Sequence, residues 1–408
     1  MLSLACLTGC GSIIISSGPG PATTVAPKPS VRIGLLTPLT GPEVAVGQAI
    51  KNGAELAVSQ YDANSSAQVT ARLDIENATV DPAKAAQILA TKGVVGVVGP
   101  GTNAEASAAD PVLEQSGIPQ VAVGATADSL SGTGDMYFHR VVASDAETGE
   151  AEAQWLVNQG SSVVQVVDDG LSDYSTLLAS LNQTLTTGLG SPQPAPYLYP
   201  ARGTSVTAAA EAITSESADP DTVVFVGSAA RGGALATALR DQGFSGTILL
   251  AGAAGDPASP ATRAWVSNAL DVSATLASAA DNPDSVTGQA LTGQALTFVT
   301  AYTGAYGVAP PEWAAQAYDA TNAILNALTP SGSGSGATSV AKTAPTAPTA
   351  SDVETALDSY SATGVSGPIS FDPTTGNLTS PQVWISTIKN GQVVQQSAMT
   401  ASSTGASS

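Results

Sequence analysis

From Val31 onward, short runs rich in β-branched residues alternate with stretches whose apolar positions recur at helical spacing. Val31-Arg32-Ile33-Gly34-Leu35-Leu36 reads as a first strand. Ile50, Ala54, Ala57, Val58 and Tyr61 then fall at i, i+4, i+7, i+8 and i+11, which places them on one face of a helix. Asp81-Pro82 supplies an N-cap and a first-turn proline for a second helix reaching about Thr91. Gly93 to Gly99 is apolar throughout, as expected of a parallel strand covered on both faces. Pro119–Val123, Phe138–Val142, Val163–Val167, Thr222–Val226 and Thr247–Leu250 continue the alternation. Ser144-Asp145-Ala146-Glu147 and Ser351-Asp352-Val353-Glu354 have the form of capping boxes opening further helices. Strands regularly separated by helices predict an α/β fold with parallel sheets.

The chain has 408 residues, enough for two or three domains at roughly 100–200 residues each. Its 33 acidic against 13 basic residues give a net charge of −20, which argues against a nucleic-acid partner. With 43% hydrophobic residues each domain can bury its own core. No apolar run approaches the roughly 18–20 residues of a membrane-spanning helix. No internal repeat at a period of about 20–50 residues is evident.

The N-terminus has a different character. Leu7-Thr8-Gly9-Cys10 ends a short apolar stretch and resembles a bacterial lipobox, in which the Cys10 thiol takes the lipid. Residues 1–10 are thus expected to be a signal-peptide remnant. Residues 11–30, with Gly18-Pro19-Gly20-Pro21 and Ala26-Pro27-Lys28-Pro29, are expected to be a disordered tether, because proline lacks the N–H and fixes φ. Residues 331–350 read as a low-complexity surface insertion and 397–408 as a disordered tail.

Candidate chemistry is sparse. No cysteine follows Cys10, so the body can hold neither a disulfide nor a thiolate metal site. His139 is the one histidine, which removes His-cluster metal sites, and its strand-like neighbours suggest a structural role. No Gly-x-Ser-x-Gly elbow accompanies it. Asp168, Asp169 and Asp173 end a strand beside Tyr174; acid–base work, oxygen ligation of a metal, a solvated loop and an acceptor for a ligand ammonium are all open to them. Gly99-Pro100-Gly101-Thr102-Asn103-Ala104 fits a dinucleotide fingerprint in form, yet the next strand ends without the carboxylate that would hold a ribose. The same turn, opening a helix with Thr102 and Asn103, suits a carboxylate ligand or a simple helix cap. Gly124-Ala125-Thr126 follows the next strand at the same sheet edge and adds a hydroxyl and backbone donors.

Taken in order, several segments resemble the type I periplasmic solute-binding proteins of ABC importers, specifically the branched-chain amino-acid (Leu/Ile/Val) binding family, over about residues 31–394. The resemblance is carried by Ile33-Gly34-Leu35-Leu36-Thr37-Pro38-Leu39-Thr40-Gly41-Pro42, Gly47, Gly53-Ala54-Glu55-Leu56-Ala57, Asp81-Pro82, Val94–Gly99, Gly117-Ile118-Pro119, Ala125-Thr126 and Phe138-His139-Arg140. Ala317-Tyr318-Asp319-Ala320 and Gly367-Pro368-Ile369-Ser370-Phe371-Asp372 complete it.

It implies two doubly wound parallel-sheet lobes joined by three hinge crossovers, residues 31–144 with 278–381 and residues 145–277 with 382–396. Ligand α-carboxylate and ammonium contacts would fall on Asn103 and Glu105 in one loop and Gly124 and Thr126 in the next. Tyr174 matches an aromatic of the far lobe. The chain departs from the family at Val46 and near Ala229, where aromatics are expected, and at Ala253-Ala254, where an acidic residue meets the ammonium. Arg231, beside the Ser228-Ala229-Ala230 turn, is a candidate to meet an anionic group, or a surface residue at a helix start. The implied protein is a non-enzymatic, monomeric lipoprotein without cofactor or metal. Held on the outer face of the cytoplasmic membrane by the lipid on Cys10, it captures a small solute, an amino acid or other small carboxylate, for an ABC permease. The same fold also serves sensory and cell-envelope regulatory proteins that bind a protein partner.

Overall fold

The computed structural model describes residues 28–131, 137–170, 174–199, 205–215, 219–255, 260–268, 274–278, 291–328 and 347–400. Cys10, most of the expected tether, Asp173, most of the expected insertion and residues 401–408 lie outside them.

The first sheet is built from β1 (Ser30–Thr37), β2 (Thr70–Asn77), β3 (Val97–Val98), β4 (Gln120–Ala122) and β5 (Phe138–Arg140). Its order is β2-β1-β3-β4-β5 with every neighbour parallel. Helices α1 (Val44–Ala63), α2 (Pro82–Lys92) and α3 (Asn103–Ser116) make the first connections. Strand alternation in β1 sends Ile33 and Leu35 to one face and Leu36 to the other. The first face meets Ile50, Ala54 and Ala57 of α1, the residues singled out by their helical spacing. The second meets Leu89 of α2 and Leu113 of α3. Each fully buried Leu or Ile contributes roughly 1.5–3 kcal/mol.

The second sheet repeats the winding. After α4 (Asp145–Asn158) come β6 (Val164–Asp168), α5 (Ser175–Leu189), β7 (Tyr197–Leu198), α6 (Val206–Thr214), β8 (Thr222–Val226), α7 (Ala229–Asp241), β9 (Thr247–Ala251), α8 (Pro260–Asn268) and β10 (Ala274–Ser278). The parallel order β7-β6-β8-β9-β10 matches that of the first sheet when each is counted from its own first strand. Val223 and Phe225 face α6 and α7, whereas Val224 and Val226 face α4 and α5.

The chain then returns to the first lobe as α9 (Gly293–Tyr306), α10 (Ala314–Ala327), α11 (Ala350–Asp358) and a small hairpin, β11 (Ser361–Thr363) with β12 (Pro368–Ser370). Ala320 and Ile324 of α10 and Val353 and Leu357 of α11 join the α1 side of its core. Buried Asp319 of α10 accepts from Val365 N at 3.0 Å and Ser366 N at 2.7 Å, pinning the hairpin turn. Finally β13 (Gln382–Lys389) joins the second sheet antiparallel to β10, and β14 (Gln392–Thr400) pairs antiparallel with β13 at its edge. The chain therefore crosses between sheets after β5, after β10 and after β12.

Three local expectations need correction. Residues 397–400, expected to open a disordered tail, are the end of β14 and pair with residues 382–385 of β13. The apolar run 93–99 is a strand only at Val97–Val98, because Gly93, at φ 70°, caps α2 in the left-handed region. The box at Ser144 and Glu147 forms as expected, but the second lies upstream of Ser351, with Thr349 as cap and Asp352 as its partner. Starting α11 at Ala350 turns Val353 and Leu357 into the core, and Asp352 rather than Glu354 closes the box. No helix of the described residues is long and apolar enough to cross a membrane.

Candidate functional site

In an open doubly wound sheet the crevice opens beyond the carboxyl ends of the strands where the order reverses, here between β1 and β3. A cleft of about 760 Å³ lies at that point. It is lined by Pro38, Thr40, Pro42 and Glu43 after β1, Ala78, Thr79 and Pro82 after β2, Thr102–Glu105 with Ala108 of α3, and Tyr174 from beyond β6. Both lobes thus contribute to one space of the size that holds a small ligand. Asn77 sets the β1 exit loop, accepting from Leu39 N at 2.9 Å and donating to Thr40 Oγ1 at 3.0 Å.

Thr102 caps α3 by accepting from Glu105 N at 3.2 Å. Glu105 is buried, 6% exposed, and its Oε2 has no hydrogen-bond partner. Desolvation, assisted by the charge of Glu43, pushes its pKa up to about 7, against hydrogen bonds at Gly101 and Thr102 that favour the charged form. Glu105 lines the cleft while its Oε2 is itself buried without a donor, a costly setting for the charged form.

Asn103 faces the loop after β4. Its Oδ1 accepts from Thr126 N at 2.7 Å and Ala127 N at 2.9 Å, so it spaces that loop from α3. Ala125 is buried, and its carbonyl accepts from Arg140 Nη1 at 3.2 Å. The Thr126 carbonyl accepts from Asp145 N at 2.9 Å, which joins this loop to the start of α4. Gly124 is required by close approach: a Cβ there would lie 2.5 Å from Gly101 O and 3.2 Å from the Trp313 ring.

Two residues of this framework were missed. Arg140, fully buried, also donates to Ala127 O at 3.1 Å and Ser131 Oγ at 2.8 Å. Burial presses its pKa down while Asp128, Glu147 and Asp145 oppose the shift. Charge in the strand following the Gly-Ala-Thr loop was the signal, because an arginine is rarely buried without a fixed set of acceptors. Trp313, at φ 65° before α10, covers Gly124; its separation of nearly 190 positions from that glycine left no local trace.

In the far lobe the Tyr174 hydroxyl accepts from Ala253 N at 2.9 Å, and burial pushes its pKa up to about 12. Ser228 N donates to Asp169 Oδ2 at 2.8 Å, linking the exits of β8 and β6. Arg231 donates to Asp169 O at 2.8 Å and to Tyr199 O, and its guanidinium lies 4.3 Å from the Tyr199 ring centroid. Its charge is thereby spent on its own loops. The structure brings Thr102, Asn103, Glu105 and Tyr174 to the cleft lining, and sets Gly124, Ala125 and Thr126 behind it as framework. Among the described lining residues there is no Lys or Arg.

A family profile described as periplasmic binding protein matches residues 30–392. The Leu/Ile/Val-binding protein BraC3 of Rhizobium johnstonii is 29% identical over 226 residues, 54% of this chain and 60% of that protein. The chain thus spans less than two thirds of the curated relatives it matches. A branched-chain amino-acid transporter substrate-binding protein, LivJ of Streptococcus pneumoniae in complex with isoleucine, superposes with a TM-score of 0.69 at 22% identity, covering 91% of this chain and 99% of that one. A solute-binding protein of Rhodopseudomonas palustris in complex with 3,4-dihydroxybenzoic acid gives 0.69 at 20% identity, with 93% and 99% covered. At these identities the superpositions establish the shared fold.

Proposed function

We propose that this chain, which belongs to the periplasmic binding protein family, captures a small solute between its two lobes outside the cytoplasmic membrane and delivers it to an ABC permease. The observation that carries the reading is the cleft at the β1/β3 reversal, closed on its far side by Tyr174 and lined by Glu105, whose buried Oε2 lacks a donor. Affinity arises as the lobes close and remove water from the solute.

The chemistry of the lining favours an amino acid over a plain anion. Glu43 and Glu105 line the cleft and no Lys or Arg does among the described lining residues, so no side-chain cation is there to meet a solute that bears only negative charge. An ammonium would meet Glu105, whereas the solute carboxylate would take the free N–H groups and positive dipole end of α3. The names of the relatives, for Leu/Ile/Val binding, support the same class. In this reading the protein acts as a monomer, without catalytic residues or cofactor. Cys10 carries the lipid that holds it to the outer face of the membrane.

The test is a thermal-shift and calorimetric screen of the full chain against amino acids, aromatic carboxylates, amines and sugars, since a ligand of the native state raises Tm. A saturable shift with zwitterionic amino acids, lost in Tyr174→Ala, supports capture. A folded protein with no response across the panel refutes it and favours a protein partner.

A further inference from the structure

His139 lies away from the cleft, on the edge strand β5, and is 2% exposed. Its ring is held edge-on to Phe371, with centroids 5.0 Å apart and planes at 73°. Arg140 beside it points to the opposite face, as strand alternation requires, and is occupied by the 125–131 loop. His139 Nε2 faces α11 and stands 3.7 Å from Glu354 Oε1. One turn further along the same helix Asp358 adds a second carboxylate, and one ligand atom from each of the three residues lies within 4.8 Å of the others.

We propose that His139, Glu354 and Asp358 form a binding site for a divalent transition metal of the zinc class. The separation of 3.7 Å exceeds a normal hydrogen bond, whose N···O distance is about 2.7–3.2 Å. It is close to the roughly 3.3–3.5 Å between two ligands of one tetrahedral ion with bonds of about 2.0–2.1 Å. An imidazole with two carboxylates is a mixed nitrogen–oxygen set, which suits zinc and neighbouring ions better than the all-oxygen shells of calcium or magnesium. Two members are held in place: buried His139 by its strand and Phe371, and half-buried Glu354 by its place beside core residues Val353 and Leu357. Asp358 is exposed, so it closes on the ion by a change of rotamer, and solvent supplies the remaining ligand. The site became legible only with the corrected start of α11, which directs Glu354 towards β5 instead of back to its own helix end. A bound ion would clamp α11 to the edge of the first sheet. Solute capture neither requires this site nor follows from it.

Full-length protein is stripped with a chelator, and its melting is followed with increasing ZnCl₂ and, separately, CaCl₂. Zinc is expected to raise Tm by a few degrees with one-to-one saturation in calorimetry, and calcium to leave it unchanged. Asp358→Asn, an exposed change that preserves the fold, and Glu354→Gln each weaken zinc binding at least tenfold. No zinc response, an equal response to calcium, or a zinc response that both variants retain overturns the assignment.

Discussion

Replacing Glu105 with Gln is expected to stabilise the free protein while weakening capture, and the two effects share one cause. In the unfolded chain this carboxyl titrates near 4.5; in the folded protein burial pushes it up to about 7. A raised acidic pKa means that the native state holds the proton more tightly. Wild-type stability is therefore unpenalised below pH 4.5, falls as pH rises through the interval to about 7, and is flat beyond it. At about 1.4 kcal/mol per pH unit the full penalty has a ceiling of roughly 3 kcal/mol. Glutamine keeps the shape and removes the charge. The variant should exceed wild type by about 1–3 kcal/mol at pH 8, since its amide brings donors of its own. At roughly 2–4 °C per kcal/mol for a lobe of this size, the gap in Tm is several degrees. Urea unfolding followed by tryptophan fluorescence at a series of pH values from 4 to 8 measures it. With solute present the order reverses, because loss of a charge-assisted hydrogen bond weakens binding about ten- to a hundredfold. A stability gap that is the same at pH 4 and pH 8, or a variant less stable than wild type at pH 8, would refute the reasoning.

Other positions respond through the framework. Asn103→Ala frees two backbone N–H groups of the Thr126 loop and should cost about 1–3 kcal/mol in urea denaturation, with solute affinity falling at least tenfold. Arg140→Lys keeps the charge but loses the fork that reaches Ala125, Ala127 and Ser131; a loss of roughly 2–4 kcal/mol is expected, and one below 0.5 kcal/mol would show the clamp to be dispensable. Gly124→Ala places a methyl 2.5 Å from Gly101 O and against Trp313, so Tm should fall by an amount matching about 1–3 kcal/mol and the tryptophan emission should shift.

The α/β alternation, the helix faces and the caps were legible because each rests on spacing within a few residues. Ile50, Ala54 and Ala57 reach the core as their periodicity demands, and Ser144 with Glu147 closes a box over three positions. The second box was misplaced because Thr349 and Ser351 both offer a hydroxyl at the right distance from an acid, and only the burial of Val353 and Leu357 chooses between them. Of the cleft, Thr102 was legible through the turn that opens a helix and Asn103, Glu105 and Tyr174 through resemblance, yet their division of labour was not. The Asn103 side chain could face solute or loop from sequence alone, and Arg231 could face an anion or a carbonyl.

The sequence by itself therefore determined the class of fold, the strand-and-helix order and the loops that meet at the strand ends, since these follow from local propensity, period and turn chemistry. Tertiary structure decided that both lobes share one winding, which shows no repeat at the level of residues because many apolar sequences satisfy the same topology. It also decided which polar atoms are spent and which remain open. Arg140 and Arg231 find carbonyls on other segments, Glu105 keeps an unpartnered oxygen, and His139 meets Glu354 from 215 positions away. Hydrogen bonding and desolvation act through space, so the partners of a buried charge are settled only when the whole chain has packed.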